Sequence, residues 1–258
     1  MAAPSIKVSE TPLVLCTLRR ADDALISGHR LSEWCGHAPI LEEDMALANM
    51  ALDLLGQARE LYSYAAKVEG RGNDEDKLAY LRDVRQYRNL LLVEQPNGDF
   101  ARTMVRQFFY AVFADLYWRA MTASKDATLA AIAAKSEKES AYHVRHCSEW
   151  IVRLGDGTDE SHMRAQEAID HLWSYTGEMF VADDAERGLI DAGIAVDPAT
   201  LKAQWQKIVG EVVAEATLAL PTNDWMQQGG RVGHHSEHLG HLLSELQSLQ
   251  RSFPGATW

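Results

Sequence analysis

Apolar residues recur along this chain three to four positions apart, the spacing of a buried helical face, and no stretch alternates in the manner of a strand. Proline and glycine punctuate the pattern at Pro12, His37-Ala38-Pro39, Gly70-Arg71-Gly72-Asn73, Gln95-Pro96-Asn97-Gly98 and Gly155-Asp156-Gly157, then at Gly193, Pro198, Pro221 and Gly229-Gly230. The stretches between these marks predict helices over about 13–34, 42–69, 75–92, 99–123, 127–154, 159–173, 178–192, 198–217 and 235–252. The second carries Leu47, Ala51, Leu54, Ala58, Leu61, Ala65 and Val68 in strict four-three spacing, which is the seam of a helical bundle. The expected fold class is therefore all-α, a long antiparallel four-helix bundle with additional helices. No linker composition divides the chain, so residues 13–258 read as one domain behind a flexible N-terminus, 1–12.

Two seams are interrupted by polar residues. The fourth predicted helix carries Phe100, Met104, Phe108, Ala111, Asp115 and Trp118 on one stripe, and the fifth carries Leu129, Ile132, Ser136, Ser140, His143, Cys147, Trp150 and Leu154. A hairpin with Glu33 and then Leu54/Gln57 is echoed by one with Asp115 and then Ser140/His143. This is the layout of carboxylate-bridged di-iron bundles, in which Glu-x-x-His puts two ligands on one helical face a turn apart. The chain has ten histidines, and none has a glutamate three residues before it. The one acid so placed, Asp159 before His162, follows a Gly-Asp-Gly turn, where Asp159 or Thr158 reads as a helix N-cap. At the remaining candidate positions Leu54 is apolar, Gln57 is a poor substitute for imidazole and Ser140 has no carboxylate. Glu33, Asp115 and His143 could face the interior, but they are too few to neutralise two iron ions. Asp115 reads first as an acid hydrogen-bonded to a neighbouring Tyr, Trp or Arg.

Other constellations are weaker. His234, His238, His241 and Glu245 form a strip beside the Leu239/Leu242/Leu246/Leu249 seam, a spacing that zinc or nickel can use, although a strip meeting solvent or a partner is the plainer reading. Gly229-Gly230-Arg231-Val232-Gly233 could offer backbone N–H groups and the Arg231 cation to an anion such as a phosphate of a ligand or partner. There is no Gly-x-Ser-x-Gly, and Cys35 with His37 does not read as a reactive pair. The chain's seven tryptophans suit either a large core or an interface.

Composition narrows the classes. Across 258 residues, 25 Lys+Arg against 37 Asp+Glu give a net charge of −12, which repels nucleic-acid backbones and anionic lipid. Cys16, Cys35 and Cys147 form no CxxC pair and suggest no disulfide framework. With no signal-peptide pattern and no long apolar run, a cytoplasmic protein is expected.

Several long phrases carry a resemblance. Gly28-His-Arg-Leu-Ser-Glu-Trp-Cys-Gly-His-Ala-Pro39, Asp53-Leu-Leu-Gly-Gln-Ala-Arg59, Asn89-Leu-Leu-Leu-Val-Glu-Gln-Pro-Asn-Gly-Asp-Phe100, Arg153-Leu-Gly-Asp-Gly-Thr158, Gly193-Ile-Ala-Val-Asp-Pro198 and Pro254-Gly-Ala-Thr-Trp258 resemble the C-subunit family of the multicomponent phenylacetyl-CoA epoxidases. The resemblance runs from about Leu13 to the end. It implies a ferritin-like fold and a noncatalytic subunit paired with a homologous catalytic A subunit, which carries the di-iron centre. In that partner the corresponding phrases read Asp-Glu-Ala-Gly-His and Lys-Glu-Glu-Ser-Phe-His. Here Leu54 and Gln57 have replaced both ligands of the first, and Ser140 has replaced the carboxylate of the second. Glu33 and His143 match ligand-type positions, whereas Glu139, four residues before His143, does not count as a substitute.

The complex so implied inserts one oxygen atom of O2 into the ring of phenylacetyl-CoA, forming a 1,2-epoxide in aerobic phenylacetate degradation. Its electrons come from NADPH through a separate reductase, and a B subunit belongs to it. On this reading the chain holds no cofactor and has no catalytic residue. The alternative is an active di-iron or mononuclear oxygenase using nonstandard ligands, and a CoA-thioester carrier ranks after it.

Overall fold

A computed structural model describes residues 5–256, all of them in helices, turns and loops. The helices are α1 (Pro12–Ser32), α2 (Leu41–Glu69), α3 (Glu75–Tyr80), α4 (Leu91–Glu94), α5 (Phe100–Met121), α6 (Ala127–Gly155), α7 (Asp159–Leu172), α8 (Asp184–Asp191), α9 (Lys202–Glu215), α10 (Glu237–Leu246) and α11 (Ser248–Ser252). Starts are set by local chemistry. Thr11 caps α1 ahead of Pro12, Asp99 caps α5, Asp126 caps α6 and Thr158 caps α7 by accepting from Ser161 N. Gly70 ends α2 in the left-handed conformation, at φ 69°. Asp159 is thus the first residue of α7 rather than its cap.

The long helices are α1, α2, α5 and α6, with α1 packed on α2 and α5 on α6. Their directions follow from cross-helix partners. Glu43, Asp53, Gln57 and Glu60 of α2 meet His146, His143, Glu139 and Lys135 of α6, one series rising as the other falls, so the pair is antiparallel. Ser27 and Trp34 bond Gln107 and Thr103, which makes α1 and α5 antiparallel as well. Because α1 and α2 form a hairpin, α2 and α5 run the same way, and residues 70–99 must travel back along the bundle. One long crossover between two antiparallel hairpins is the ferritin-like topology. The apolar core is continuous through all four helices, from Leu18 and Leu47 to Phe108, Phe113, Ile132 and Ile151.

Three sequence expectations change. The predicted helix over 75–92 stops at Tyr80, because Asp22 and Asp23 of α1 capture the crossover. Asp22 accepts from Arg88 N at 2.7 Å and Asp23 from Leu90 N at 2.8 Å, while Arg82 turns inward to Asp22. These amide groups are donated to α1 and no longer to a helix of their own. The stretch over 178–192 becomes a short turn plus α8, divided by Asp183, which caps α8. The last predicted helix is broken at Gln247, whose side chain bonds the carbonyls of Ala79 and Arg82.

Residues 5–11, within the stretch expected to be flexible, lie along the crossover. Ile6 N donates to Leu81 O at 3.0 Å and Ser9 N to Glu69 at 2.8 Å. Residues 1–4, Thr257 and the seventh tryptophan, Trp258, lie outside the described residues. Among the described residues no helix is long and apolar enough to cross a membrane.

Candidate functional site

The middle of the four-helix bundle is where a metal-binding bundle holds its ligands. Leu54 is 2% exposed there and sits against Gly28 of α1, at which an added Cβ would come within 3.3 Å of the Leu54 Cβ and 3.2 Å of the Ala51 carbonyl. The α1 residue facing Leu54 is therefore Gly28. Glu33, expected to share the interior, lies just past the end of α1 with 40% of its side chain exposed, paired with Arg30 at 2.8 Å and Asn97 at 2.8 Å. The cause is the helix end at Ser32, which leaves Glu33 to cap the turn.

Gln57, Ser140 and His143 are all buried at this level. Gln57 Nε2 donates to Glu139 at 2.9 Å, and His143 Nε2 lies 3.1 Å from Asp53 Oδ2. Burial raises the Glu139 carboxyl, while the Gln57 hydrogen bond works against that rise. Neither acid points wholly inward, since Asp53 has 36% of its side chain exposed. Asp115 is buried, but it is held by Arg119 at 3.0 Å one turn further along α5, and burial raises its carboxyl against that cation. On α5, the residue that reaches across is Gln107, which bonds Ser27 at 3.0 Å.

Sequence reasoning missed Gly28, Gln107 and Asp53. Gly28 could have been found as a glycine inside an apolar helix, a sign of close helix approach. The central donors are one imidazole, two neutral amides and hydroxyls, and the two nearby carboxylates, Asp53 and Glu139, are partly exposed and already engaged with His143 and Gln57. A carboxylate-bridged di-iron centre needs several anionic oxygens to neutralise its ions, so these residues do not fit one. Among the described residues there is no group of three or more His, Cys, Asp and Glu able to hold a metal ion.

The C-terminal strip does not converge either, for His234 and His241 are exposed and the carbonyl of His238 accepts from Arg30. His235 is the one drawn inside, bonding Glu94 at 2.8 Å and the Tyr87 carbonyl at 3.0 Å. Arg231 is buried and forks onto Asp23 at 2.9 and 2.7 Å, and it also donates to the carbonyls of Arg19 and Arg88. Its NH1 and NH2 groups are thus engaged within the protein. The glycine-rich loop does bind an anion, the chain's own Glu178, through Gly229 N at 2.9 Å and Arg231 N at 3.1 Å. Trp34, Trp118, Trp150, Trp173 and Trp205 pack in or against the core, and Trp225 is 64% exposed.

Among the phrases that carried the resemblance, residues 53–59 lie in the bundle and 89–100 in the crossover, while 28–39 run from the end of α1 into the turn before α2. A sequence profile of the phenylacetic acid catabolic protein family matches residues 2–258. The chain is 51% identical over 246 residues to the C subunit of the 1,2-phenylacetyl-CoA epoxidase of Escherichia coli (strain K12), covering 95% of this chain and 99% of that protein. With a match of that length over an all-helical ferritin-like fold, the chain belongs to the phenylacetic acid catabolic protein family.

Proposed function

We propose that this chain is the structural, noncatalytic subunit of a multicomponent di-iron monooxygenase that epoxidises phenylacetyl-CoA in the cytoplasm, and that it holds and stabilises the catalytic A subunit. The observation that carries this reading is the content of the bundle centre. By the resemblance, Leu54, Gln57 and Ser140 stand where a catalytic homologue would place acids and an imidazole, and Gly28 is the α1 residue packed against Leu54. Leu54 supplies dispersion contact and no electron pair, and Gly28 lets α1 and α2 approach too closely for a carboxylate between them. Gln57–Glu139 and His143–Asp53 tie α2 to α6 in place of a bridging ion. The interior so built is a fixed body against which a partner can be ordered. The di-iron centre belongs on this reading to the A subunit, and electrons reach it from NADPH through a reductase, with a B subunit also present.

Two measurements test it. The untagged chain, loaded with ferrous iron and desalted, is expected to retain far less than one iron per chain. Epoxidation of phenylacetyl-CoA by the A subunit is expected to fall severely when this chain is omitted and to return when it is added. Two tightly held iron ions per chain, or an A subunit fully active without it, would overturn the proposal.

A further inference from the structure

A cleft of about 340 Å³ opens between the start of α5 and the second half of α7, with Arg102, Arg164, Ala168 and His171 among the residues that line it. Arg102 is the unusual member. Among the described residues its side chain has no carboxylate partner: Nη2 lies 2.6 Å from the ring Nε2 of His171, and Nε is buried with no acceptor. The turn before α5 fixes its place. Gly98 has φ 61°, and a Cβ there would come within 2.7 Å of Arg102 Cδ, so the arginine stem lies where only glycine leaves room. Arg164, by contrast, is shared between Asp99 at 3.2 Å and Glu160 at 2.6 Å, and Glu167 stands exposed at the rim. Two groups report the sign of the local field. Arg106, 1% exposed and one turn further along α5, bonds only neutral oxygens, the Gln95 carbonyl and Asn97 Oδ1. Burial, then the cations Arg30 and Arg102, push its guanidinium down to about 9 against the pull of Glu33. The His171 imidazole is lowered as well, by burial first and then by Arg102 and His238.

We propose that this cleft is a binding site for a phosphate group, gripped by Arg102 through Nε and Nη2 and by His171, which takes up a proton from solvent as the anion enters. To accept from Arg102, Nε2 of His171 has to be free of its proton, so the pair as it stands is a cation facing a neutral ring. An anion between them lets both become donors, and the guanidinium edge matches two phosphate oxygens. A dianion suits the cleft better than a carboxylate, because two charges are needed to outweigh Asp99 and Glu167 on its walls. The charged and titratable groups around His171 are Arg102 of α5, His238 of α10, Asp99 before α5, and Arg164 and Glu167 of its own helix, with Tyr175 beside its ring. This site does not rest on the functional reading above.

Isothermal titration of the full chain at fixed ionic strength is the test, with sulfate, inorganic phosphate and methyl phosphate as probes. Sulfate keeps its charge across the range, so it isolates the protein's own titration. It is expected to bind more tightly than chloride, and several-fold more tightly at about pH 6 than at about pH 8. Arg102→Gln should weaken binding by about tenfold or more, and His171→Gln should remove the pH dependence, both with unchanged far-ultraviolet circular dichroism. The ring resonances of His171 should move as the wild type saturates, which reads the site without any variant. Methyl phosphate binding as well as inorganic phosphate would identify the phosphate of a larger ligand, and inorganic phosphate binding alone the free ion. Sulfate bound no more tightly than chloride, binding that Arg102→Gln leaves intact, or His171 resonances that stay in place would each overturn the proposal.

Discussion

Charged residues inside α1 do much of the organising in this protein. Arg19, Arg20, Asp22 and Asp23 are each less than 10% exposed, and each finds its partner far away in sequence. Asp22 holds Arg82 and the amide of Arg88, and Asp23 holds Arg231 and the amide of Leu90. Burial raises the Asp23 carboxyl, and Arg231 and Arg20 oppose the rise, so the acid depends on its cations for its charge. Arg231→Ala is therefore expected to cost about 3–5 kcal/mol, because it strands a buried carboxylate. Adding Asp23→Asn to that variant should recover part of the loss, since the stranded charge is gone. Urea unfolding of the two variants measures this, and a loss below about 1 kcal/mol for Arg231→Ala would contradict the account.

Among the helices, glycine separates close packing from open surface. Gly28 of α1 lies where a side chain would press on the Ala51 carbonyl and Leu54, whereas Gly240 of α10 has nothing within 4 Å of its missing Cβ. Both are helix-interior positions. Gly28→Val is expected to destabilise by about 1–3 kcal/mol through overpacking against α2. Gly240→Ala is expected to stabilise by about 0.5–1 kcal/mol through helix propensity alone. Paired thermal denaturation curves give the two signs, and a stabilised Gly28→Val would mean that α1 and α2 are looser than described. The same closeness keeps a carboxylate off α1 at the level of Leu54, so the bundle centre and the helix spacing are one feature.

Across the whole molecule, the outer helices are tied to the bundle by ion pairs that respond to acid. Arg19 of α1 forks onto Asp183 at the start of α8, and this hydrogen bond is the main cause holding the Asp183 carboxyl below its ordinary 3.8. A carboxyl whose folded pKa is depressed adds stability that is full above the unfolded value and lost as the pH falls through the folded one. Asp183→Asn should thus be less stable than the wild type at neutral pH. The gap should close on acidification below about pH 4, where the wild-type carboxyl takes up its proton. Unfolding midpoints of both proteins from neutral to strongly acidic pH would show it, and a gap independent of pH would refute the role of this pair. Asp23, Asp115 and Glu139 carry the opposite sign, because burial raises each of them, so the difference between the two proteins isolates Asp183.

Helix existence was written in local sequence, because a four-three run such as Leu47 to Val68 can bury itself in only one way, and Thr11, Asp99 and Asp126 mark where helices begin whatever surrounds them. The lack of any Glu-x-x-His was equally legible, being a matter of spacing on one helix. What local sequence could not carry was any property set by residues distant along the chain. The break after Tyr80 exists because Asp22 and Asp23 take the crossover amides, and Arg231 is turned inward by the same Asp23. Glu33, a ligand-type residue by resemblance, became solvent-facing when α1 ended at Ser32, and Gly28 took the place facing Leu54. Periodicity records which side of a helix is buried, but which buried group meets which is decided only when the helices dock, since a charge in the interior is stable only where its partner arrives.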